Sequence, residues 1–520
     1  MTRSSAFTLG DILRRNLALR RDAPAILFEG RTLTHGDFAA RAFRLVRALR
    51  RLGVQPKDRV AILAQNCPEY LETYAAGELG GWITVPINYR LAAPEVAYIL
   101  ADSRPKILIV EAPYLPLVSD AARAGLGHVL TIGGDGPDLG YQPALAQEEA
   151  EPVARIAAPD DIAWLIYTSG TTGRPKGVML SHGGQVWAAQ ISALEMGVRP
   201  TDRAAVAMPL YHVGARNTCV TRSLQGCPII LHRAYRTEPF LASLAAHGVT
   251  ETLLAPTMLK DLLEIEPDLR RAVPSLARIF YSAAPMPEAL LRRALAALGP
   301  IFAQVYGMTE SGGPGCMLHQ HQHRLDGPPE VVRRLRSAGQ PMVGCDVRIL
   351  RPDGGECGVG ELGEIVIGSA GLMLGYWNNP AATSETLRDG ALHTGDIGER
   401  DEAGFITVVD RIKDMIVSGG ENIYSREVEE ALLSHPAISE AAVVGAPDER
   451  WGERVVAFLV RRPGAEASEE AITDHCRRTI AAYKRPKQLH FVESLPKLPN
   501  GKVEKFKLRE PLWAGRARSL

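Results

Sequence analysis

Apolar residues in this chain follow two rhythms, and the pattern changes near residue 410. Before that point, short unbroken apolar runs alternate with stretches of helical period. The runs 59–66 (RVAILAQN), 106–110 (KILIV) and 163–169 (AWLIYTS) predict short buried strands. Residues 34–53 predict a helix: Phe38, Ala42, Phe43, Val46, Leu49 and Leu52 fall on one face, Thr34 is a capping residue and Asp37 stands three positions on. Such alternation predicts an α/β architecture, a large N-terminal domain of sheets covered by helices. Residues 345–369 predict a β-rich stretch broken by glycines and an Asp-Gly turn. Beyond Asp410–Lys413 the pattern is helix (425–435), strand (440–447), strand (454–462) and helix (468–483), a small α+β module. The predicted division is therefore 1–410 and 411–520.

Composition narrows the partners. At 520 residues the chain exceeds one ordinary core. Lys+Arg and Asp+Glu both number 59, so no net field draws in nucleic acid or an anionic membrane, and a small-molecule partner is expected. No apolar run is long enough for a membrane span, and the N-terminal residues lack the apolar core of a secretory signal. Seven cysteines are scattered with no C-x-x-C pair, which predicts reduced thiols and a cytoplasmic setting. His319, His321 and His323 alternate in HQHQH, but no further ligand cluster accompanies them, so the segment reads as a polar loop rather than a metal site.

The chemistry concentrates in YTSGTTGRPKG, 167–177. Thr168, Ser169, Thr171 and Thr172 offer hydroxyls, Gly170 and Gly173 expose backbone N–H groups, and Lys176 adds a charge, at the C-terminal end of a predicted strand. The loop is not a Walker P-loop: Pro175 and Gly177 stand where that pattern needs Gly and Ser/Thr.

This string, followed by LSH, resembles the phosphate-binding signature of the adenylate-forming superfamily. Six more segments match in the family's order: PLYHVGA (209–215), SAAPMP (282–287), YGMTE (306–310), HTGDIG (393–398), DRIKDMIVSGGENI (410–423) and PNGKVEK (499–505). The resemblance implies an AMP-forming acid–thiol ligase using ATP, Mg²⁺ and coenzyme A. A carboxylate attacks the α-phosphate, pyrophosphate leaves, and a thiol then takes the acyl group. The catalytic residues it implies are Lys502, Thr309, Glu310 (also the Mg²⁺ ligand) and His212 at the mouth of the acid pocket. The nucleotide would meet the phosphate loop, Ala283, Ala284 and Pro285 beside adenine, Tyr306 stacked on it, and Asp396 with Arg411 at the ribose. Lys413 would be the hinge on which the C-terminal domain swings. Gly419 and Gly420 would then line the pantetheine channel, and Trp451, Tyr483 and Arg485 would touch CoA. Trp187, Val213, Arg216, Met258, Gly307, Met308 and Gly312 are the candidate acid-pocket residues. A fatty or other hydrophobic acid is expected, with an aryl or dicarboxylic acid, or a carrier-protein acceptor, as alternatives. A binding protein that has lost turnover and a luciferase-type oxidation belong to other classes. A homodimer is open.

Overall fold

Strands buried on both faces need continuous apolar runs rather than alternation, and two sheets are built from such runs. The computed structural model describes residues 7–514 except 135, 169–174, 283–285, 419–420 and 498–500. One sheet has eight strands; at its middle Ile162–Thr168, Ile83–Ile87, Arg59–Leu63, Ile107–Glu111 and His128–Ile132 run parallel in that spatial order. The other has nine, with Phe302–Tyr306, Arg278–Tyr281, Glu251–Leu254, Ala204–Val206, Ile229–Leu231 and Pro24–Phe28 parallel and antiparallel strands at both edges. Helices cover them, and one continuous apolar core joins the two layers.

The helix expected over 34–53 spans His35–Arg51; the Thr34 hydroxyl accepts from the Asp37 N–H at 3.0 Å, and the Asp37 carboxylate accepts from the Thr34 N–H. The stretch 345–369 is the hairpin Asp346–Leu350/Gly363–Gly368, with Gly354 of the Asp-Gly turn at φ +86°. It belongs to a third, antiparallel sheet that also holds Ala391–Arg400 and Ile406–Arg411.

The fourth sheet comprises Ile416–Ser418, Glu421–Ile423, Ile438–Asp448, Gly452–Arg461 and Gln488–Phe491. Helices Ser425–Leu433 and Glu469–Thr479 bury Val428, Leu432, Ile472 and Cys476 against it in a separate core. The second helix stops at Thr479 rather than 483, because β-branched Ile480 is already extended. Asp410 ties this unit to the third sheet: its carboxylate accepts from the Ser425 hydroxyl at 2.8 Å. Among the described residues no helix is long and apolar enough to cross a membrane, and all seven cysteines are free thiols.

Candidate active site

A cleft of about 960 Å³ opens where the C-terminal ends of the parallel strands meet the third sheet and the small unit. Lys502 reaches it from the small unit. Thr168 and Lys176 come from the strands flanking the Gly/Ser/Thr loop, and Gly307, Met308, Thr309 and Glu310 from the turn after Phe302–Tyr306. His212 and Val213 stand at the N-terminus of helix Val213–Gln225 and line the same space. Ser169, Gly170, Thr171, Thr172, Gly173, Ala283, Ala284, Pro285, Gly419 and Gly420 lie outside the described residues.

Asp396 owes its position to a bulge. The pairing of Gly363–Gly368 with Ala391–Arg400 jumps from Glu364↔Ile397 to Val366↔His393, leaving extra residues in the second strand, and Gly395 takes φ +69° within them. The Asp396 carboxylate, 4% exposed, accepts from the Tyr306 hydroxyl at 2.8 Å and pairs with Arg411 Nε at 2.9 Å. Burial, reinforced by Asp396, pushes the Tyr306 phenol up. The Tyr306 ring packs against the core of the third sheet, so its visible work is to hold Asp396, beside the cleft-lining Gly395 and Arg411.

Glu310 is held by a residue with no sequence signal of its own. The Tyr376 hydroxyl donates to Glu310 Oε1 at 3.0 Å, and Lys176 Nζ lies 5.0 Å from the centre of the same ring. One phenol thus connects the lysine of the phosphate-loop motif to the carboxylate of YGMTE. Among the described residues no three His, Cys, Asp or Glu side chains cluster as metal ligands, so Glu310 is not part of an all-protein metal cage. That fits Mg²⁺, which takes one or two protein carboxylates and completes its shell with phosphates and water. In HQHQH, His319 pairs with Glu195 at 3.1 Å and stacks with His321 at 5.7 Å between ring centres, while His323 Nε2 faces the Tyr281 hydroxyl at 3.0 Å, so His323 serves a different partner from the other two.

The electrostatics single out three groups. Burial, then Arg411 and Lys413, bring Lys502 down to about 8; burial and Arg411 bring Lys413 to about 8 as well. Burial, with Arg90 nearby, takes His212 down to about 4, so its imidazole is neutral at pH 7, and its Nε2 finds no hydrogen-bond partner among the described residues.

Four candidate pocket residues are corrected. Helix Val213–Gln225 turns Gly214, Asn217, Thr218 and Thr221 to the cleft and Arg216, Cys219, Val220 and Ser223 to the opposite, interior face. Arg216 is therefore a core residue: its guanidinium pairs with buried Glu78 and sits 4.5 Å from the Tyr74 ring and 5.0 Å from Trp164. Trp187 packs where a Cβ on Gly344 or Gly371 would strike its ring at 2.8–2.9 Å, outside the cleft. Met258 is buried and gives its carbonyl to the Tyr235 hydroxyl; its neighbour Thr257 lines the cleft instead. Gly312 serves close packing, since its carbonyl accepts from Asn217 Nδ2 at 2.6 Å and a Cβ there would lie 2.1 Å from Gly371 O. Nor does the structure bring Trp451, Tyr483 and Arg485 to the cleft: both aromatics are exposed on the small unit, and Arg485 bonds backbone carbonyls of its own segment.

Comparisons with known proteins cover nearly the whole chain. The profile of the AMP-binding enzyme family matches residues 13–377, and that of the AMP-binding enzyme C-terminal domain matches 427–502. A feruloyl-CoA synthase of an Amycolatopsis species is 38% identical over 503 residues, 96% of this chain and 98% of its own. The long-chain-fatty-acid–CoA ligase FadD13 of Mycobacterium tuberculosis is 37% identical over 483 residues, 92% and 93% of the two chains. The crystal structure of an anthranilate CoA ligase, AuaEII, with anthranoyl-AMP aligns over 98% of both chains with a TM-score of 0.89 at 29% identity.

Proposed function

The chain belongs to the AMP-binding enzyme family, and from that premise we propose that it is an AMP-forming acid–CoA ligase acting on a hydrophobic carboxylic acid. A carboxylate oxygen attacks the α-phosphorus of ATP and the bond to the β-phosphate breaks, giving an acyl-adenylate and pyrophosphate. The sulfur of CoA then attacks the acyl carbon, forming a thioester and releasing AMP. The observation that carries this reading is that Lys502, from one structural unit, lines the same cleft as Thr309, Glu310 and His212 from the other.

Transfer at phosphorus is driven by positioning and by fixed charge facing the charge that develops. In this reading Lys502 and Thr309 face the α-phosphate, and Lys176 with the Gly/Ser/Thr loop grips the departing phosphates. Mg²⁺ on Glu310 would draw charge from them when bound. Neutral His212 borders the carboxylate without adding a competing cation. Asp396, oriented by Tyr306 and Arg411, receives the ribose hydroxyls.

The second step needs room for a thiol where Lys502 stands. We assign that room to rotation of 411–520 about Lys413, which would carry Gly419–Gly420 and the exposed Trp451, Tyr483 and Arg485 toward CoA. We assign one limb of the cleft to the acid: it has apolar walls at Met196, Leu253 and Phe280 and reaches Arg222, which favours an aryl or medium-length acid among the fatty, other hydrophobic, aryl and dicarboxylic acids that the sequence left open. The free thiols support a reducing, cytoplasmic setting.

The test is AMP release across alkyl, aryl and dicarboxylic acids, each with and without CoA. Release needing both one acid class and CoA supports the ligase. No release with CoA but release with a phosphopantetheinylated carrier protein would move the acceptor. Silence under every condition would overturn the reading.

A further inference from the structure

The far end of the acid limb holds a charged side chain that the reaction itself does not use. Arg222 lines the cleft although it is only 2% exposed. Its Nε donates to Glu251 Oε1 at 2.6 Å, one Nη stands 3.5 Å from Met196 Sδ, and the guanidinium lies 5.2 Å from the centre of the Phe280 ring. Register explains the layout. Glu251 pairs across the sheet with Arg278, and two residues on, Leu253 pairs with Phe280. Leu253 and Phe280 line the cleft, while Glu251 and Arg278 form the next rung outward, where Arg278 also meets Asp202 at 2.5 Å. Arg222 and Arg278 are thus balanced by Glu251 and Asp202, and the cluster is neutral as a whole.

Two features define what fits there. The helix face leading to Arg222 is polar, with Thr218, Thr221 and Asn217, whose buried Oδ1 has no hydrogen-bond partner among the described residues. The opposite wall is Met196, Leu253 and Phe280. Ten residue steps lead from His212, the N-cap, to Arg222, about 15 Å of rise, and a helical side chain leans back about one turn toward the N-terminus. The guanidinium therefore lies roughly 10 Å from the carboxylate end of the limb. Carbon–carbon bonds of about 1.5 Å give roughly 1.25 Å of reach per zigzag carbon, so one ring on a two-carbon arm spans that length and a long alkyl chain overruns it.

We propose that Arg222 is a specificity residue: its guanidinium donates to a neutral oxygen, hydroxyl or ether, at the end of a one-ring aryl acid distal to the carboxyl. This rests on the acid–CoA ligase reading. A second carboxylate is disfavoured because the cluster already carries its full complement of negative charge, and a methyl terminus would bury the Arg222 donors without a partner. A ring also delivers the oxygen with few rotors to freeze.

The test compares kcat/KM for adenylate formation with 3-phenylpropenoic acids bearing 4-hydroxy, 4-methoxy, 4-methyl or 4-carboxy groups, and with dodecanoic acid. The expected order places hydroxy and methoxy about tenfold or more above methyl, with carboxy and dodecanoate lowest. Arg222→Lys should shrink the hydroxy/methyl ratio to about twofold. If that variant does not fold, Arg222→Met with Glu251→Gln removes the fork and its counter-charge together and should abolish the ratio. A wild-type enzyme preferring the methyl, carboxy or dodecyl acid overturns the proposal and leaves the ligase intact, as does a ratio unchanged in a folded variant. No turnover of any acid, with or without CoA, sinks the ligase reading and this inference with it.

Discussion

Replacing Lys502 by Ala should separate the two half-reactions. Its ammonium falls from an ordinary 10.5 to about 8, chiefly through burial and then through Arg411 and Lys413. At about 1.4 kcal/mol per tenfold, holding the charge in the closed arrangement costs roughly 3 kcal/mol. The sign follows from the direction: the cost is fully present below pH 8 and fades as pH rises from 8 toward 10.5. ATP brings the anionic oxygens that offset it, so the group should matter only where phosphates are present. Between pH 7 and 9 the protonated fraction drops from about nine-tenths to about one-tenth, and kcat/KM for ATP in acyl-adenylate formation should drop about tenfold with it. At saturating ATP the break should move to higher pH. The assay is acid-dependent ATP–pyrophosphate exchange, run beside thioester formation from chemically supplied acyl-adenylate and CoA. Lys502→Ala should reduce exchange by about a hundredfold or more, remove the break near pH 8, and leave the second reaction within a few-fold of wild type. Equal losses in both reactions, or an unmoved break in the variant, would refute the assignment of this lysine and the closed arrangement together.

Asp396→Asn should raise the Kd for ATP about tenfold or more by calorimetry, since it weakens charge-assisted bonds that align Arg411; unchanged affinity would remove Asp396 from the ribose site. Tyr376→Phe frees Glu310 from its one phenol donor, worth about 1 kcal/mol, and should raise the Mg²⁺ concentration for half-maximal exchange about fivefold. Arg216→Ala leaves Glu78 buried without its counter-charge and should cost about 3–5 kcal/mol by denaturant melting while the acid preference of the folded enzyme stays unchanged; altered preference at unchanged stability would return Arg216 to the pocket. His212, held down to about 4 by burial, should show no imidazole titration by NMR between pH 5 and 8.

The motifs were legible in the sequence because their chemistry is local. An Asp-Gly turn, a Thr-x-x-Asp cap and a run of hydroxyls and glycines behind an apolar strand depend on neighbours a few residues away. The same holds for the sheet-and-helix layering, since apolar runs and helical periods declare which face must be buried. The change of pattern near 410 likewise preceded a sheet with its own core. The acid pocket was different. Arg216 and Asn217 are adjacent in the chain, yet one helical step of about 100° sends the first to Glu78 in the interior and the second to the cleft. Only the packing of that helix on its neighbours decides which is which. Tyr376 reaches Glu310 across 66 residues, and Arg222 reaches Glu251 across 29; no spacing rule announces either, because the sheets set those distances. By itself, then, the sequence determined the layers, the ordered motifs and the chemistry they carry. The tertiary structure decided which side chains share the cleft, because burial and charge pairing act between residues that only the fold brings together.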